Sequence, residues 1–527
     1  MRKILLSSML ALALAAGLMP ATATGNGPML VAVTATPEQG GWLADRFDLV
    51  ETRVGEELLV VAWPGDLARL RTAGFLPRVI DAELMAQSAQ ALEPRSGSGS
   101  RTEYRTYAEY QADLLAWESE YPDLVRVSTL DERTLEGREV LSIEVAIGDP
   151  DDGRPKAYID GIHHAREWPA GELVMAFIED LLDGVASGDA RISSLLQRVS
   201  VIAVPVVNPD GFIISRGAPV DVPITAAGNG LGAYWRKNAR GLVNDPVSQS
   251  SVGSYGVDNN RNYPFMWGSG TVLGGNGASG LLLDADYEGA APSSEPETRN
   301  VQRVLLTQNH TAVVSNHTYG NLILYPWGHT RKPPPDIAIL KGLAESMAEA
   351  NGYRPQPGMD LYATTGTTDD WAYAATGTLG FTFEHGTQFH PPYIFGVETK
   401  RPQNTEAMLR LLEAAADPSK HSVITGRTTQ EGQPVQADLR LMKASWLPAS
   451  RGPQLCSFIE LDLRTGSEGS FEWHVNPSVG PIDDGAYTLV ATTPTGGATR
   501  QVIVARGQLL DLGGIELEDQ PLSTPRC

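Results

Sequence analysis

The stretch that decides the fold of this chain reads Gly161-Ile162-His163-His164-Ala165-Arg166-Glu167-Trp168. A mostly apolar run at 157–162 leads into it, and a run with apolar residues at helical spacing follows it. This order predicts a strand, a turn and a helix, with polar side chains at the carboxyl end of the strand, where open α/β sheets place their sites. His164 and Glu167 have the spacing that lets a turn direct an imidazole and a carboxylate at one zinc ion. A lone HxxE quartet is common by chance, so the rest of the chain must supply the other ligands.

Length and charge limit what the chain can be. At 527 residues it is too long for one hydrophobic core, so we expect roughly two to four domains. Its formal net charge of −22 and pI near 4.8 disfavour nucleic acid and anionic membranes as partners and would attract cationic ligands. The plainer explanation of this acidity is the solubility of an exported protein. The sequence does not specify the oligomeric state.

The first residues are typical of a signal peptide. Residues 1–23 have a basic start, an apolar centre at 4–19 and the cleavage sequence Ala21-Thr22-Ala23. No later segment has the roughly eighteen unbroken apolar residues that a membrane span requires. We therefore expect a soluble protein that is secreted or periplasmic. Its two cysteines, Cys456 and Cys527, would meet an oxidising compartment, and we predict that they form a disulfide.

Changes in composition divide the chain into five segments. They are a signal peptide at 1–23, a small α+β pro-segment or accessory domain at 24–95, a linker at 96–103, an α/β catalytic domain at 104–417 and a β-sandwich at 421–527. The linker contains Ser96-Gly97-Ser98-Gly99-Ser100, a flexible and protease-accessible leash, which favours a cleavable pro-segment and hence a zymogen. A permanent, non-inhibitory domain is the alternative. Beyond Asp417-Pro418 short strands replace the helices, which predicts the sandwich.

Strand-like and helical runs alternate through the segment 104–417. Thr106 and Glu109 form a capping box that opens the first helix, and strands and helices then alternate to about residue 415. This alternation predicts an α/β domain whose mixed or parallel sheet is covered on both faces. Stretches rich in glycine and proline at 217–233 and 266–285 are predicted to be surface loops.

Other enzyme classes find little support in the sequence. There is no GxSxG sequence for a serine hydrolase and no GxGxxG after a strand for a dinucleotide. Polar residues that follow strand-like runs suit a metallopeptidase instead. A zinc site needs a third ligand, and His317, beside Asn316 and Tyr319, follows the apolar run at 312–315. A lone histidine in that position is as often structural as it is a ligand.

The 161–168 stretch resembles the zinc-binding segment of the zinc metallocarboxypeptidases of the carboxypeptidase A/B type. Further motifs occur in that family's order, namely Asn208-Pro209-Asp210-Gly211-Phe212, Trp235-Arg236-Lys237, Gly256-Val257-Asp258-Asn259-Asn260-Arg261-Asn262, His317-Thr318-Tyr319, Tyr362, Asp370-Trp371 and Phe381-Thr382-Phe383-Glu384. The resemblance covers about residues 104–415. It implies a three-layer α/β/α sandwich around a mixed eight-stranded sheet and one Zn²⁺ per catalytic domain. It also implies hydrolysis of the last peptide bond at the C-termini of peptides and proteins.

Carried over residue by residue, the resemblance gives the zinc ligands as His164, Glu167 and His317, with water in the fourth position. His163 competes with His164 on sequence grounds, since it stands four residues before Glu167. The family's HxxE spacing selects His164. Glu384 corresponds to the general base, which takes a proton from the attacking water and passes it to the leaving amine.

Four further residues correspond to groups that bind the substrate or the transition state. Arg236 corresponds to the arginine that stabilises the oxyanion, where one such donor contributes ~2.7–4 kcal/mol. Asn260, Arg261 and Tyr362 correspond to the clamp for the terminal carboxylate of the substrate. The planar guanidinium of Arg261 suits this task because it can bind a carboxylate with two hydrogen bonds. This clamp makes such an enzyme an exopeptidase.

Asp369 stands just before the Asp370-Trp371 pair, at the position that in the family faces the floor of the pocket for the terminal side chain. The resemblance implies a preference for carboxy-terminal Lys or Arg, because a buried carboxylate pairs with a cation and is left unpaired beside an apolar side chain. The alternative is that Asp369 caps a helix beginning at Asp370. Arg166 and Tyr319 match further substrate subsites.

The chain departs from the family's pattern in three places. Its loops at 216–234 and 265–286 are longer than usual, and His385-Gly386-Thr387-Gln388 replaces the usual continuation. The amino-terminal unit is also hard to align with the family's pro-domain. Two other functions stay open, a zinc amidase or peptidoglycan peptidase on the same scaffold and a catalytically inactive peptide-binding module. The carboxylate clamp argues against the first, and the complete set of ligands with Glu384 argues against the second.

Overall fold

The computed structural model describes residues 27–63, 65–91, 101–217, 232–241, 256–268, 277–450, 453–482, 485–518 and 527. The predicted signal peptide and the Gly/Ser leash lie outside these residues, as do parts of both long loops. Among the described residues, no helix has the length and apolar character needed to cross a membrane.

An α+β unit, which we call the N-terminal unit, occupies residues 29–91. Its elements are β1 (Met29–Thr34), α1 (Pro37–Ala44), β2 (Asp48–Val54), β3 (Glu57–Ala62), α2 (Asp66–Thr72), β4 (Arg78–Asp81) and α3 (Leu84–Ala91). The strands form one antiparallel sheet in the order β2-β3-β1-β4, which is the split βαβ arrangement. Helix α1 begins at a reciprocal capping box between Thr36 and Gln39. The unit therefore has its own sheet and its own capped helix.

The central domain contains an eight-stranded sheet and nine α-helices among its described residues. Its elements are α4 (Tyr107–Glu120), β5 (Val125–Thr129), β6 (Leu141–Val145), β7 (Lys156–Gly161), α5 (Trp168–Ser187), α6 (Ala190–Leu196), β8 (Ser200–Val204), α7 (Pro209–Ser215), α8 (Pro296–Thr307), β9 (His310–His317), β10 (Leu322–Tyr325), α9 (Ile337–Asn351), β11 (Arg354–Pro357), α10 (Gly358–Leu361), α11 (Thr368–Thr376), β12 (Leu379–Glu384) and α12 (Arg401–Ala415). The strand order is β11-β10-β12-β9-β7-β8-β6-β5. The pairs from β12 to β8 and the edge pair β10-β11 are parallel, and the pairs β10-β12, β8-β6 and β6-β5 are antiparallel. The predicted mixed eight-stranded sheet between two helical layers is confirmed.

The three central strands explain both the apolar runs and the position of the site. Every residue of β7, β9 and β12 is buried, because helices cover both faces of the sheet. These strands are parallel, so their carboxyl ends lie at one edge of the sheet. Gly161, His317 and Glu384 are the last residues of the three strands. The register pairs Glu384 with His317 directly across β12 and β9.

The C-terminal region is a β-sandwich, as predicted. Its strands are β13 (Ser422–Gln430), β14 (Gln433–Pro434), β15 (Asp438–Leu447), β16 (Leu455–Arg464), β17 (Ser470–Val475), β18 (Tyr487–Thr493), β19 (Gly496–Val502) and β20 (Leu509–Glu516). One sheet contains β14-β13-β17 with β20 beside β13, and the other has the order β16-β15-β18-β19. Side chains of both sheets share one hydrophobic core. The predicted disulfide joins Cys456 to Cys527, with their Cα atoms 5.7 Å apart.

Buried polar contacts join the sandwich to the base of the central sheet. Asn476 donates from its side-chain amide to the carbonyl of His310 at 2.9 Å and to the hydroxyl of Thr378 at 3.0 Å. Its backbone N–H donates to the side-chain oxygen of Asn309 at 2.8 Å. His310 begins β9, and Thr378 directly precedes β12. Asn476 therefore joins the first residues of two strands whose opposite ends carry His317 and Glu384.

Candidate active site

A tight turn at the end of β7 delivers the first polar cluster. Ile162 is fully buried and has a φ of 55°, a left-handed conformation that is rare for a β-branched residue. Its side chain fits beside Gly171 of α5, where an added Cβ would lie 2.6 Å from the Ile162 Cδ1 atom. Helix α5 then begins at Trp168, with Glu167 at its N-cap position. The predicted strand, turn and helix are all present.

Three buried side chains converge at the edge of the sheet. Donor atoms of His164, Glu167 and His317 all lie within 4.8 Å of one another. Glu167 Oε1 is 2.8 Å from His164 Nδ1, and Glu167 Oε2 is 2.9 Å from His317 Nδ1. Burial raises the pKa of Glu167, but the two imidazoles outweigh it and lower the pKa to about 2. Two imidazoles and one ionised carboxylate are the protein donor set of a catalytic zinc site.

His163, the competing histidine, faces away from this cluster. Its Nε2 atom lies 2.9 Å from the Tyr263 hydroxyl and 3.1 Å from the Thr368 hydroxyl. Its Nδ1 atom lies 3.3 Å from the Ser315 hydroxyl. These contacts occupy both ring nitrogens, and of the two histidines only His164 belongs to the cluster.

Asp258 links the metal-binding cluster to Arg236, and the sequence analysis assigned it no role. Its Oδ1 atom lies 3.1 Å from His164 Nε2, and its Oδ2 atom accepts from Arg236 Nε at 3.0 Å and Nη2 at 2.9 Å. Burial raises the pKa of Asp258, but Arg236 and His164 outweigh this and hold it well below its ordinary value. A carboxylate behind a metal-binding imidazole fixes its tautomer and orientation. The signal for this role was available, since Asp258 stands in the same motif as Asn260.

Asn260, Arg261 and Tyr362 lie together beside the cluster. Arg261 is buried, and its Nη2 atom donates to the Tyr362 hydroxyl at 3.2 Å. The side-chain amide nitrogen of Asn260 lies 3.4 Å from His317 Nε2, and its oxygen accepts from the backbone N–H of Thr368 at 2.9 Å. The guanidinium and phenol predicted to bind a terminal carboxylate are therefore held beside a predicted zinc ligand.

Known proteins share this arrangement. The sequence profile of the zinc carboxypeptidases matches residues 110–409. The chain belongs to the zinc carboxypeptidase family. Carboxypeptidase B of Astacus astacus is 29% identical over 346 residues, covering 64% of this chain and 97% of that protein. Carboxypeptidase A1 of Rattus norvegicus is 29% identical over 311 residues, covering 56% of this chain and 67% of that protein.

A solved structure shares the fold. The crystal structure of carboxypeptidase A from Helicoverpa armigera superposes with a TM-score of 0.61 at 21% sequence identity. The match covers 74% of this chain and 98% of that chain. Together with the family match and the three converging donors, this makes the protein a zinc metallocarboxypeptidase of the A/B type.

Asp369 lies in the first turn of α11 in this carboxypeptidase. The helix begins at Thr368 with Thr367 as its N-cap, so the alternative of a helix beginning at Asp370 is wrong in its start. Asp369 is buried, and burial and the adjacent Asp370 carboxylate raise its pKa to about 7. Its neighbour Thr368 contacts Asn260, so this helix terminus abuts the predicted carboxylate clamp.

Arg166 and Tyr319, the two predicted subsite residues, lie together under the N-terminal unit. Both are buried, and both contact the ring of Phe389, the guanidinium carbon of Arg166 at 4.3 Å and the Tyr319 ring at 4.9 Å. Arg166 also forms a two-pronged ion pair with Asp48 of β2, in which Nη2 donates to Oδ1 at 2.6 Å. The N-terminal unit therefore places a carboxylate on a predicted substrate-binding arginine. No local sequence pattern indicates this role for Asp48, because the contact joins residues 118 apart.

The N-terminal unit also contacts this carboxypeptidase's catalytic domain on two sides of the predicted site. On one side Gly40 of α1 is so close to Tyr362 that an added Cβ would lie 3.0 Å from the tyrosine Cβ. On the other side the Ser88 hydroxyl of α3 lies 2.8 Å from His390 Nδ1, and Tyr234 donates to the carbonyl of Leu84 at 3.2 Å. The unit thus packs on the predicted clamp residue Tyr362, which is buried.

Proposed function

We propose that this protein is an exported zinc carboxypeptidase, made as a latent precursor, that removes Lys or Arg from the C-termini of peptides and proteins. The observation that carries the proposal is the buried Asp369 carboxylate on the helix terminus that touches Asn260 of the clamp. The acidic chain, with its net charge of −22, favours the approach of cationic peptides.

The proposed roles follow from the geometry. His164, Glu167 and His317 would hold the zinc ion, which would supply a Lewis acid for the scissile carbonyl and for the attacking water. Glu384, beside His317 in the register of the sheet, takes a proton from the attacking water and passes it to the leaving amine. Arg236, held by Asp258, stabilises the negative charge that develops on the carbonyl oxygen.

The clamp restricts the reaction to the last residue of a chain. Arg261 and Tyr362, with Asn260, bind the free α-carboxylate of the substrate, since a guanidinium and a hydroxyl are both donors suited to carboxylate oxygens. An internal peptide bond has no such carboxylate, so only the terminal bond reaches Glu384. The same requirement argues against a peptidoglycan amidase that acts on an internal bond.

Latency follows from what the N-terminal unit covers. Its Asp48 carboxylate is paired with Arg166, and its α1 packs on Tyr362, so a substrate cannot reach either residue while the unit is seated. Cleavage in the Gly/Ser leash would free the unit from the catalytic domain. The basic start and apolar centre of residues 1–23 support export before that cleavage.

The specificity is tested with two blocked peptides that differ only in whether Arg or Leu is the terminal residue. They are assayed on the enzyme after cleavage in the Gly/Ser leash and removal of the N-terminal unit, which we call the trimmed enzyme, and on its Asp369→Asn variant. Wild type should favour the Arg peptide in kcat/KM, and Asp369→Asn should lose most of this preference, because the amide carries no charge. The Arg/Leu ratio should also rise with pH through about 7, as the pKa of the Asp369 carboxyl is passed and it ionises.

Using the ratio removes effects of groups that act on both substrates, such as Glu384 and the zinc ligands. Equal rates on both peptides in the wild type would end the assignment of basic specificity. A ratio that Asp369→Asn leaves unchanged would place the specificity elsewhere in the pocket.

A further inference from the structure

One end of the C-terminal sandwich lies against helix α11. Strand β15 contributes Leu439 and Leu441 to the core of the sandwich, but its last residue, Leu447, joins the core of the catalytic domain. On the neighbouring strand β16, the Ser457 hydroxyl lies 3.1 Å from the indole nitrogen of Trp371. Both Ser457 and Trp371 are buried. This end of the sheet therefore serves as a surface on which α11 rests.

A second contact joins the sandwich to the segment after Arg261. Met266 donates from its backbone N–H to the carbonyl of Pro448 at 2.9 Å, and Ser450 donates to the carbonyl of Trp267 at 3.1 Å. The Ser450 hydroxyl also donates to the carbonyl of Met266 at 2.8 Å. The connection that follows β15 thus holds 266–267 by three hydrogen bonds.

The two supported elements are themselves joined beside the clamp. The ring of Trp371 stacks on the ring of Tyr263 with centroids 5.4 Å apart, and the Tyr263 hydroxyl lies 2.9 Å from His163 Nε2. Gly366, just before α11, exchanges backbone hydrogen bonds with Tyr263 and Phe265, each at 3.1 Å. Helix α11 and segment 263–267 therefore form one packed wall next to Arg261.

We propose that the C-terminal sandwich is a positioning domain for the pocket that receives the terminal residue, and that Ser457 is a positioning residue acting through Trp371. This inference rests on the proposed function, in which Arg261 and Asp369 bind the terminal residue. Ser457 touches neither substrate nor zinc ligands. It fixes the wall on which Asp369 stands, and binding sites require such support because small displacements weaken them strongly.

The test compares trimmed wild-type enzyme with Ser457→Ala, Trp371→Phe and the double variant on the Arg and Leu peptides. Ser457→Ala should raise KM for the Arg peptide roughly three- to tenfold, the size of one hydrogen bond's net contribution, and leave kcat within about twofold. Trp371→Phe should raise KM at least as much, since it removes the other partner of the same bond and part of the ring that stacks on Tyr263. The double variant should be no worse than Trp371→Phe alone, which shows that the two residues act as one unit.

Ser422→Ala is the matched control. Its buried hydroxyl donates to the carbonyl of Ala505 at 2.9 Å, wholly inside the sandwich. It should lower thermal stability as Ser457→Ala does, with KM and the Arg/Leu ratio unchanged. If Ser457→Ala and Ser422→Ala move KM equally, or if Ser457→Ala changes only thermal stability, the sandwich is a structural appendage and the inference is overturned.

The wild-type measurement separates this outcome from failure of the proposed function. Equal wild-type rates on the Arg and Leu peptides contradict the assignment of Asp369, and the KM shift on a single peptide still decides the role of Ser457. A clear wild-type preference with KM unmoved by Ser457→Ala contradicts the positioning role alone.

Discussion

The N-terminal unit and the C-terminal sandwich both pack on the catalytic domain, but they contact it in different ways. The N-terminal unit contacts residues that are predicted to bind the substrate, through an ion pair between Asp48 and Arg166 and through packing on Tyr362. The sandwich contacts groups away from the predicted site residues, through hydrogen bonds of Asn476 and Ser457 and an ion pair between Arg506 and Asp336. A segment that occupies substrate-binding groups must leave before turnover. A segment that supports the elements behind them can stay throughout.

The first prediction tests whether Glu384 acts as the general base of the predicted site. In trimmed enzyme, Glu384→Gln should retain zinc, because Glu384 is outside the ligand cluster, and should lose at least roughly a hundredfold in kcat, the low end for a general base. Metal analysis and peptide turnover on one purified sample measure both quantities. Near wild-type turnover would mean that another group moves the proton.

The second prediction concerns the contact between the N-terminal unit and the catalytic domain. Asp48→Asn removes the charge that faces the buried Arg166, and breaking a buried ion pair costs about 3–5 kcal/mol. The uncleaved variant should therefore hydrolyse a small dipeptide much faster than the uncleaved wild type and approach the rate of trimmed enzyme. Arg78→Gln is the matched control, because its pair with Glu57 joins strands within the N-terminal unit and lies on the surface. If uncleaved and trimmed wild-type proteins are equally active, the unit is no inhibitor.

The third prediction concerns the contact between the C-terminal sandwich and the central sheet. Asn476→Ala removes the side-chain amide that donates to the carbonyl of His310 and to the hydroxyl of Thr378, and each such hydrogen bond contributes about 0.5–1.5 kcal/mol. Urea unfolding should show a lower midpoint for this variant in the trimmed enzyme. Removal of the N-terminal unit should leave that midpoint nearly unchanged. A variant as stable as wild type would show that the strand starts do not depend on the sandwich.

The sequence predicted the chemistry of the site better than its supports. His164, Glu167, His317 and Glu384 could be named because the motifs that carry them stand at strand ends and follow the order of a known family. Asp48, Ser457 and Asn476 could not be named, because each acts through a contact with a residue far away in sequence. Nothing in the local pattern of these three residues distinguishes them from ordinary polar surface residues.

Two elements have a sequence pattern too weak to predict them. Helix α1 contains Gly40 and Gly41, which lower helix propensity, and its capping box alone sets its start. Strand β20 contains Gly513 and Gly514, which interrupt the alternating pattern. In both cases tertiary packing overrides a weak local preference. The eight-stranded sheet was predictable because its central strands are buried on both faces and contain apolar runs.

Because of the conformation of Ile162, retention of the metal depends on how well the core packs around this turn. A β-branched residue in the left-handed region carries about 1–3 kcal/mol of strain, which the surrounding structure must hold. The restraint here is the fit of the Ile162 side chain against Gly171, on the helix that follows the turn. If that fit loosens, the turn relaxes and His164 moves away from His317 while the sheet remains folded. Damage to this part of the core would therefore be seen first as a protein that is folded but has lost its zinc.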